Sequence, residues 1–367
     1  MTTEPIRLAI VGIGNCASSL VQGIAYCAAE GDKAVAVSYP DAGGYAISDI
    51  EVVAAIDVDE RKVGRPLHEA IFALPNCTER FFAPGGDGPV VLQGPVLDGV
   101  APHMANSDPD RAFRPAAGDG LDKAAVVAAL KAAQVEVMML FLPVGAADAA
   151  AFYAECALDA GCALVNGFPV FLASDPEWAS RFADRGLPII GDDIKAQFGA
   201  TIVHRALMSL AEARGVEVDR SYQLNVGGNT DFLNMREEAR LILKRESKTE
   251  AVQAARKVRM PDDDLRVGPS DYVPWLDDRK VAFVRLEGRL FGGVATNIEV
   301  RLEVEDSPNA AAEALIAIRC ARIARDRGLS GAIASACGYL FKHPPVAWAD
   351  DEARQRLEAF LAGAEPA

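Results

Sequence analysis

The chain has 367 residues, half of them hydrophobic, which is enough for one or two domains around a large core. A formal net charge of −15 excludes nucleic acid and anionic membranes as general partners, and any cations that bind an anionic ligand must therefore be locally concentrated. The seven cysteines are scattered with no CxxC pair, and the four histidines form no HExxH; both patterns suit reduced thiols in a cytoplasmic protein and argue against a histidine-based metal site.

The amino terminus runs from MTTEPI straight into a strand-like stretch and reads as lacking a secretory leader. No apolar run reaches the ~18 residues of a membrane-spanning helix. Strands are expected at 7–12, 51–57, 135–143, 162–167 and 187–192, with helices between them at 17–29, 121–133, 147–159 and 175–184. The last helix opens SDPEW, with Ser174 or Asp175 as cap and Pro176 in the first turn. Continuous apolar strands alternating with helices specify a parallel sheet covered on both faces. Segments 30–49 and 83–120, rich in Gly and Pro, read as long loops inserted into this first unit.

From about residue 200 the texture changes. A helix over 200–214 leads to the strand VDRSYQLNVGG and then to a basic helical stretch, 235–260. VAFVRLEGRLF and NIEVRLEVED alternate in polarity around Gly292-Gly293 and read as a half-exposed antiparallel pair. A helix over 308–327 closes the pattern. The expected fold is α/β: a Rossmann-type doubly wound sheet over residues 1–200, with 305–367 packing back on it, plus an α+β catalytic and oligomerisation domain over 201–304.

The chemistry starts at Gly12-Ile13-Gly14-Asn15-Cys16-Ala17, between a strand and a helix. Glycines there allow a tight turn and close approach of backbone N–H groups to a pyrophosphate at the positive end of the helix, with Ala17 in the third glycine's place. The alternative is an ordinary strand–helix turn. Asp57 ends the second strand, where a carboxylate either binds ribose hydroxyls, favouring NAD over NADP, or caps the next helix. Gly191-Asp192-Asp193-Ile194-Lys195 lies at the carboxyl end of a strand, where two carboxylates beside a lysine either tune that lysine or form a surface turn. Asn225 to Asp231 is a ligand loop or a polar turn with Asp231 as helix cap. The cations of Lys244-Arg245-Glu246-Ser247-Lys248 share a helical face that is ordinarily solvated. Lys280 follows Asp277-Asp278-Arg279, and Lys342 precedes a His-Pro-Pro stop.

Together the phrases GIGNCASSLVQG, VNGFPVFLASDP, GDDIK, NVGGNTDFLN, DYVPWLDDRK, RLEGRLFG, EDSPN and YLFKHPP, in this order, closely resemble the actinobacterial myo-inositol-1-phosphate synthases, from Arg7 to about Pro345. The resemblance implies an NAD-dependent isomerisation of glucose 6-phosphate to an inositol monophosphate by oxidation, enolisation, intramolecular aldol closure and reduction. It implies Lys195, Lys244, Lys248, Lys280 and Lys342 as active-site lysines, with Asp193 and Asp278 as acids. For NAD it implies Gly12, Gly14, Asn15, Cys16, Ala17, Asp57, Tyr153, Asp231 and Lys244, and Ala196 where relatives carry Ser. Some members bind a divalent cation, with Asp193, Asp306 and Ser307 as the matching oxygen ligands, suited to Mg²⁺ or Zn²⁺. A homotetramer assembled through the second domain is also implied. The rival readings are a two-domain NAD-dependent dehydrogenase acting on a small phosphorylated substrate, and an NAD-binding redox regulator, for which no basic helix-turn-helix is evident.

Overall fold

The computed structural model describes residues 4–237, 242–256 and 258–364, with the side chains of 242–244 and 262 outside the description. Strand and helix alternate as β1 (Ile6–Val11), α1 (Asn15–Glu30), β2 (Ile50–Asp57), β3 (Val91–Gln93), α2 (Lys123–Ala132), β4 (Val137–Leu140), α3 (Ala147–Ala160), β5 (Ala163–Asn166), α4 (Pro176–Asp184) and β6 (Pro188–Ile190). β4, β5 and β6 are buried at every position, because helices cover both faces. Asp175 caps α4, its Oδ1 accepting from the Glu177 N–H at 2.8 Å.

The chain continues through α5 (Ala200–Ala213), β7 (Glu217–Gly227), α6 (Thr230–Asn234), α7 (Ile242–Gln253), β8 (Leu265–Tyr272), β9 (Arg279–Arg289), β10 (Ala295–Glu305), α8 (Asp306–Asp326), β11 (Gly331–Ala332), α9 (Ala334–Leu340) and α10 (Asp350–Ala362). The first sheet has the order β11-β6-β5-β4-β1-β2-β3, parallel throughout. Strand order reverses between β1 and β4, and ligands of doubly wound sheets sit outside the carboxyl ends of the strands at such a point. The second sheet is β8-β7-β9-β10, with β8 parallel to β7 and the other pairs antiparallel.

Helix α8 joins the two sheets. It starts where β10 ends and packs its Ala-rich length (Ala314, Ala317, Ala321) into the first core with α1. Small side chains allow this close approach, and a Cβ at Gly23 of α1 would lie 3.6 Å from Leu315. Arg319, fully buried on α8, donates to the carbonyls of Tyr39, Pro40 and Tyr45 and so pins the 31–49 insertion to the core. Several strands depart from the sequence reading. β3 and the two-residue strands at 41–42 and 45–46 lie inside stretches expected to be loop, and β11 lies beyond the last expected helix; each has three residues or fewer, too short for a periodicity to register. β8 is longer, but Gly268 and Pro269 interrupt it and hide it from a strand pattern. β10 is also more exposed than half, because it is the edge of its sheet.

Candidate active site

A single cavity extends from the carboxyl ends of β1 and β2 to the second sheet. At one end is the glycine loop. Gly12 has φ +88°, and a Cβ on it would lie 2.3 Å from the Phe141 carbonyl oxygen, so no other residue fits. Gly14 caps α1 with no side chain over the helix terminus, and a Cβ there would meet nothing within 4 Å. The loop therefore presents a bare helix N-terminus to the cavity, the arrangement that binds a phosphate group.

The loop is held from below. Asp57 Oδ2 accepts from the Ile13 N–H at 2.6 Å, and Oδ1 accepts from Val58 and Asp59 at 2.7 and 2.8 Å. Lys62, 1 % exposed, donates to the Ile13 carbonyl at 2.7 Å and to Asn76 Oδ1 at 2.9 Å, and Asn76 Nδ2 donates to the same carbonyl at 3.0 Å. Burial pushes the Lys62 ammonium pKa down, while Asp57 and Asp59 push it up. Asn15 borders the cavity, and its side chain is tied to the next loop, Oδ1 accepting from the Cys77 and Thr78 N–H groups. Ala17 is buried inside α1 and lies off the cavity wall. Tyr153, buried on α3, borders the cavity with its hydroxyl close to Gly94, and burial pushes its phenol well above the usual range. Cys16 borders it too, its Sγ 3.8 Å from Ser307 Oγ.

At the other end, GDDIK and LFKHPP, about 150 positions apart in sequence, zip together. Lys195 N–H donates to Leu340, Lys342 N–H to Asp193, and Asp192 and His343 exchange backbone bonds. The two acids then part company. Asp192 is a fastening: its carboxylate accepts from Asn166, from the N–H groups of Leu172, Ala173 and Ser174, and from Ser174 Oγ. Burial still lifts its carboxyl to about 6. Asp193 faces the cavity, with Oδ1 2.7 Å from Lys342 Nζ and Oδ2 accepting from Ser247 Oγ at 2.6 Å. Lys195, 3 % exposed, donates to the carbonyls of Gly338 and Tyr339 at 3.0 and 2.8 Å. Burial first, and the Arg205 guanidinium second, bring its ammonium down to about 7, against Asp350 and Glu313.

Lys248 and Lys280 join Lys195 and Lys342 on the wall, and Lys280 is salt-bridged to Asp306. The side chain of Lys244 lies outside the described residues. Asp278, 1 % exposed, sits behind the wall and accepts from Asn229 Nδ2 at 2.8 Å and from Ser307 Oγ at 3.0 Å; burial pushes its carboxyl up. Asp231 borders the cavity, and the cap of α6 is Asn229 rather than Asp231, its Oδ1 accepting from the Asp231 and Phe232 N–H groups. Ala196 borders the cavity without the hydroxyl expected of a Ser.

The expected cation ligands do not fit a metal. Asp193 is taken by Lys342 and Ser247, Asp306 by Lys280, and Ser307 by Asp278, so their oxygens are spent on separate partners. Among the described residues no three His, Cys, Asp or Glu groups converge as a metal site. The sequence reading missed Lys62 and Asn76 under the loop, and Gln223 on the cavity floor beside Asn225, the first residue of the expected ligand loop. The floor follows from period-2 alternation: Ser221, Gln223 and Asn225 occupy one face of β7, and that face is buried although polar.

Residues 199–307, containing the second sheet, match the family model described as myo-inositol-1-phosphate synthase. The chain is 50% identical to the inositol-3-phosphate synthase of Mycolicibacterium smegmatis, over 98% of both chains. The synthase of the same name from Corynebacterium glutamicum is also 50% identical, over 98% of this chain and 99% of that one. The chain belongs to the inositol-3-phosphate synthase family. Among solved structures, inositol-3-phosphate synthase from Caenorhabditis elegans superposes with a TM-score of 0.73 at 18% identity, covering all of this chain and 87% of that one, which bears on the fold alone. Membership sets aside the dehydrogenase and regulator readings. The clustered lysines of an acidic protein suit the anionic inositol phosphate that the names of these relatives state as their product. Among the described residues no helix is long and apolar enough to cross a membrane.

Proposed function

We propose that the protein converts D-glucose 6-phosphate into 1D-myo-inositol 3-phosphate with NAD retained in the glycine-loop half of the cavity. The observation that carries this is the meeting of Lys195, Lys248, Lys280 and Lys342, from distant chain segments, on the wall of the cavity that the glycine loop opens into. Gly12, Gly14, Asn15, Cys16, Asp57, Tyr153, Ala196 and Asp231 border the cavity and would hold the cofactor. When bound, NAD supplies the oxidation and later reduction at carbon 5 of the sugar.

Lys195 is assigned as the proton carrier. As a neutral amine, its two N–H groups serve the Gly338 and Tyr339 carbonyls and its lone pair is left to accept a proton. As an ammonium, its third N–H becomes a donor. A group that titrates near 7 moves between these forms at little cost. Once carbon 5 is a ketone, the proton lost from carbon 6 goes to Lys195 and the electron pair to the enolate oxygen. Carbon 6 then bonds to the carbon 1 aldehyde, and the proton returns to the new alkoxide. Lys342, oriented by Asp193, and Lys195 stabilise the oxyanions near carbons 5 and 1. Lys244, Lys248 and Lys280 are assigned to phosphate and alkoxide charge.

The test is incubation with glucose 6-phosphate and catalytic NAD. Inositol phosphate accumulates without net NADH absorbance; stoichiometric NADH would overturn the assignment. We also propose a cytoplasmic homotetramer built on the second sheet, where β9, β10 and the turn between them leave Phe283, Ile298 and Leu290 exposed. Light scattering at four protomer masses supports it, and a monomer refutes it.

A further inference from the structure

Behind Lys195 and Lys342 lies a second cavity of about 450 Å³, bounded by α5, by the region at and after the end of α7, and by the 338–348 segment. Its charged wall consists of Lys195, Arg205, Arg256, Arg259 and Lys342, with a single carboxylate, Glu250, among the described residues that line it. In a chain of net charge −15 such a concentration of cations is not a random sample of the surface.

The pairing of these cations sharpens the point. Arg205 bonds to Asp350 and Lys342 to Asp193, whose carboxylates do not line the cavity. Arg256 donates to main-chain carbonyls, those of Val258 at 3.1 Å and Val218 at 3.2 Å, and these bonds leave its full charge on the wall. Lys195 likewise donates to carbonyls. Arg259 pairs with Glu250 at 2.8 Å, and both side chains are well exposed, so solvent screens this pair. Trp348, Pro344 and Pro345 also line the cavity.

We propose that this second cavity is a binding site for a small phosphate-class anion, held chiefly by Arg256 and Arg259 and separate from the sugar phosphate's place in the first cavity. Lys195 and Lys342 border both cavities, so the two sites share a wall. Where Lys195 is the proton carrier, an anion here adds to Asp350 and Glu313 and opposes Arg205 and Lys342, so it favours the ammonium form and couples occupancy to turnover. That coupling rests on the function proposed above; the binding site does not.

The probe is inorganic phosphate, titrated calorimetrically into the NAD-loaded protein with the first cavity saturated by inositol 3-phosphate. One phosphate per chain binds to the wild type. Arg259→Ala weakens it at least tenfold, through loss of a cation and release of the Glu250 charge, whereas Glu250→Gln tightens it. Arg256→Lys, which keeps the charge, weakens it less than Arg256→Ala. Both Arg259 and Glu250 are exposed, so these variants fold, and circular dichroism checks that they do. Phosphate that binds only when inositol 3-phosphate is absent, or equally to Arg259→Ala and Glu250→Gln, overturns the proposal whether or not the protein makes inositol phosphate.

Discussion

Lys62 is the most informative residue to change, because its loss separates cofactor binding from folding. Its ammonium and Asn76 together hold the Ile13 carbonyl. In a trans peptide the carbonyl and the following N–H point in opposite directions, so this clamp fixes the Gly14 N–H on the other side of the plane. Gly14 borders the cavity and Ile13 does not. Lys62→Met keeps the length of the side chain and removes the charge. A hydrogen bond to a charged group contributes about 1.5–3 kcal/mol, and a carbonyl held by Asn76 alone positions the loop less firmly. At 1.4 kcal/mol per decade that corresponds to a roughly 10- to 100-fold weaker NAD complex. Folding responds differently. Removing an ammonium whose pKa is lowered by burial relieves a cost, while Asn76 Oδ1 loses its donor at a cost of about 1–3 kcal/mol. These oppose each other, so the melting temperature without NAD moves by only a few degrees. Calorimetric titration of NAD and thermal unfolding measure the two effects. An NAD affinity within twofold of wild type would remove Lys62 from cofactor binding.

Lys342→Ala abolishes turnover and leaves NAD binding intact, because Lys342 lies with Asp193 at the far end of the cavity; an active variant removes it from the mechanism. Gly12→Ala loses NAD binding at least tenfold, since the added Cβ meets the Phe141 oxygen at a φ that only glycine adopts cheaply, and equilibrium dialysis reads it. The plot of kcat/KM against pH breaks near 7, the value of Lys195, and Lys195→Arg displaces that break. Stability follows with a fixed sign. The folded state lowers the Lys195 pKa from 10.5 to about 7, so its contribution is fully present above 10.5 and is lost as pH falls toward 7, by on the order of 5 kcal/mol at most. Lys195→Met therefore gains thermal stability relative to wild type as pH is lowered from 10 to 6. A gap that stays constant with pH contradicts the depressed pKa.

What could be read from the chain alone were features carried by neighbours in sequence. Continuous apolar runs gave β1, β2 and β4 to β6, and strand, Gly-x-Gly and helix in succession gave the phosphate-binding turn, because each such signal is complete within about twenty residues. Phrase order gave the family. Whatever depended on which segments meet was decided by the tertiary structure. GDDIK reads the same whether Asp192 or Asp193 faces the ligand; only the fold around Ser174 makes one a fastening and leaves the other to Lys342. Asp193, Asp306 and Ser307 looked free to share a cation until the fold gave each a nearer partner. Lys62 carried no signal in the sequence reading, and the fold buries it beneath the glycine loop. The reason is common to all three: a side chain's charge and pKa are set by what lies within a few ångströms, and for these residues those neighbours come from distant parts of the chain.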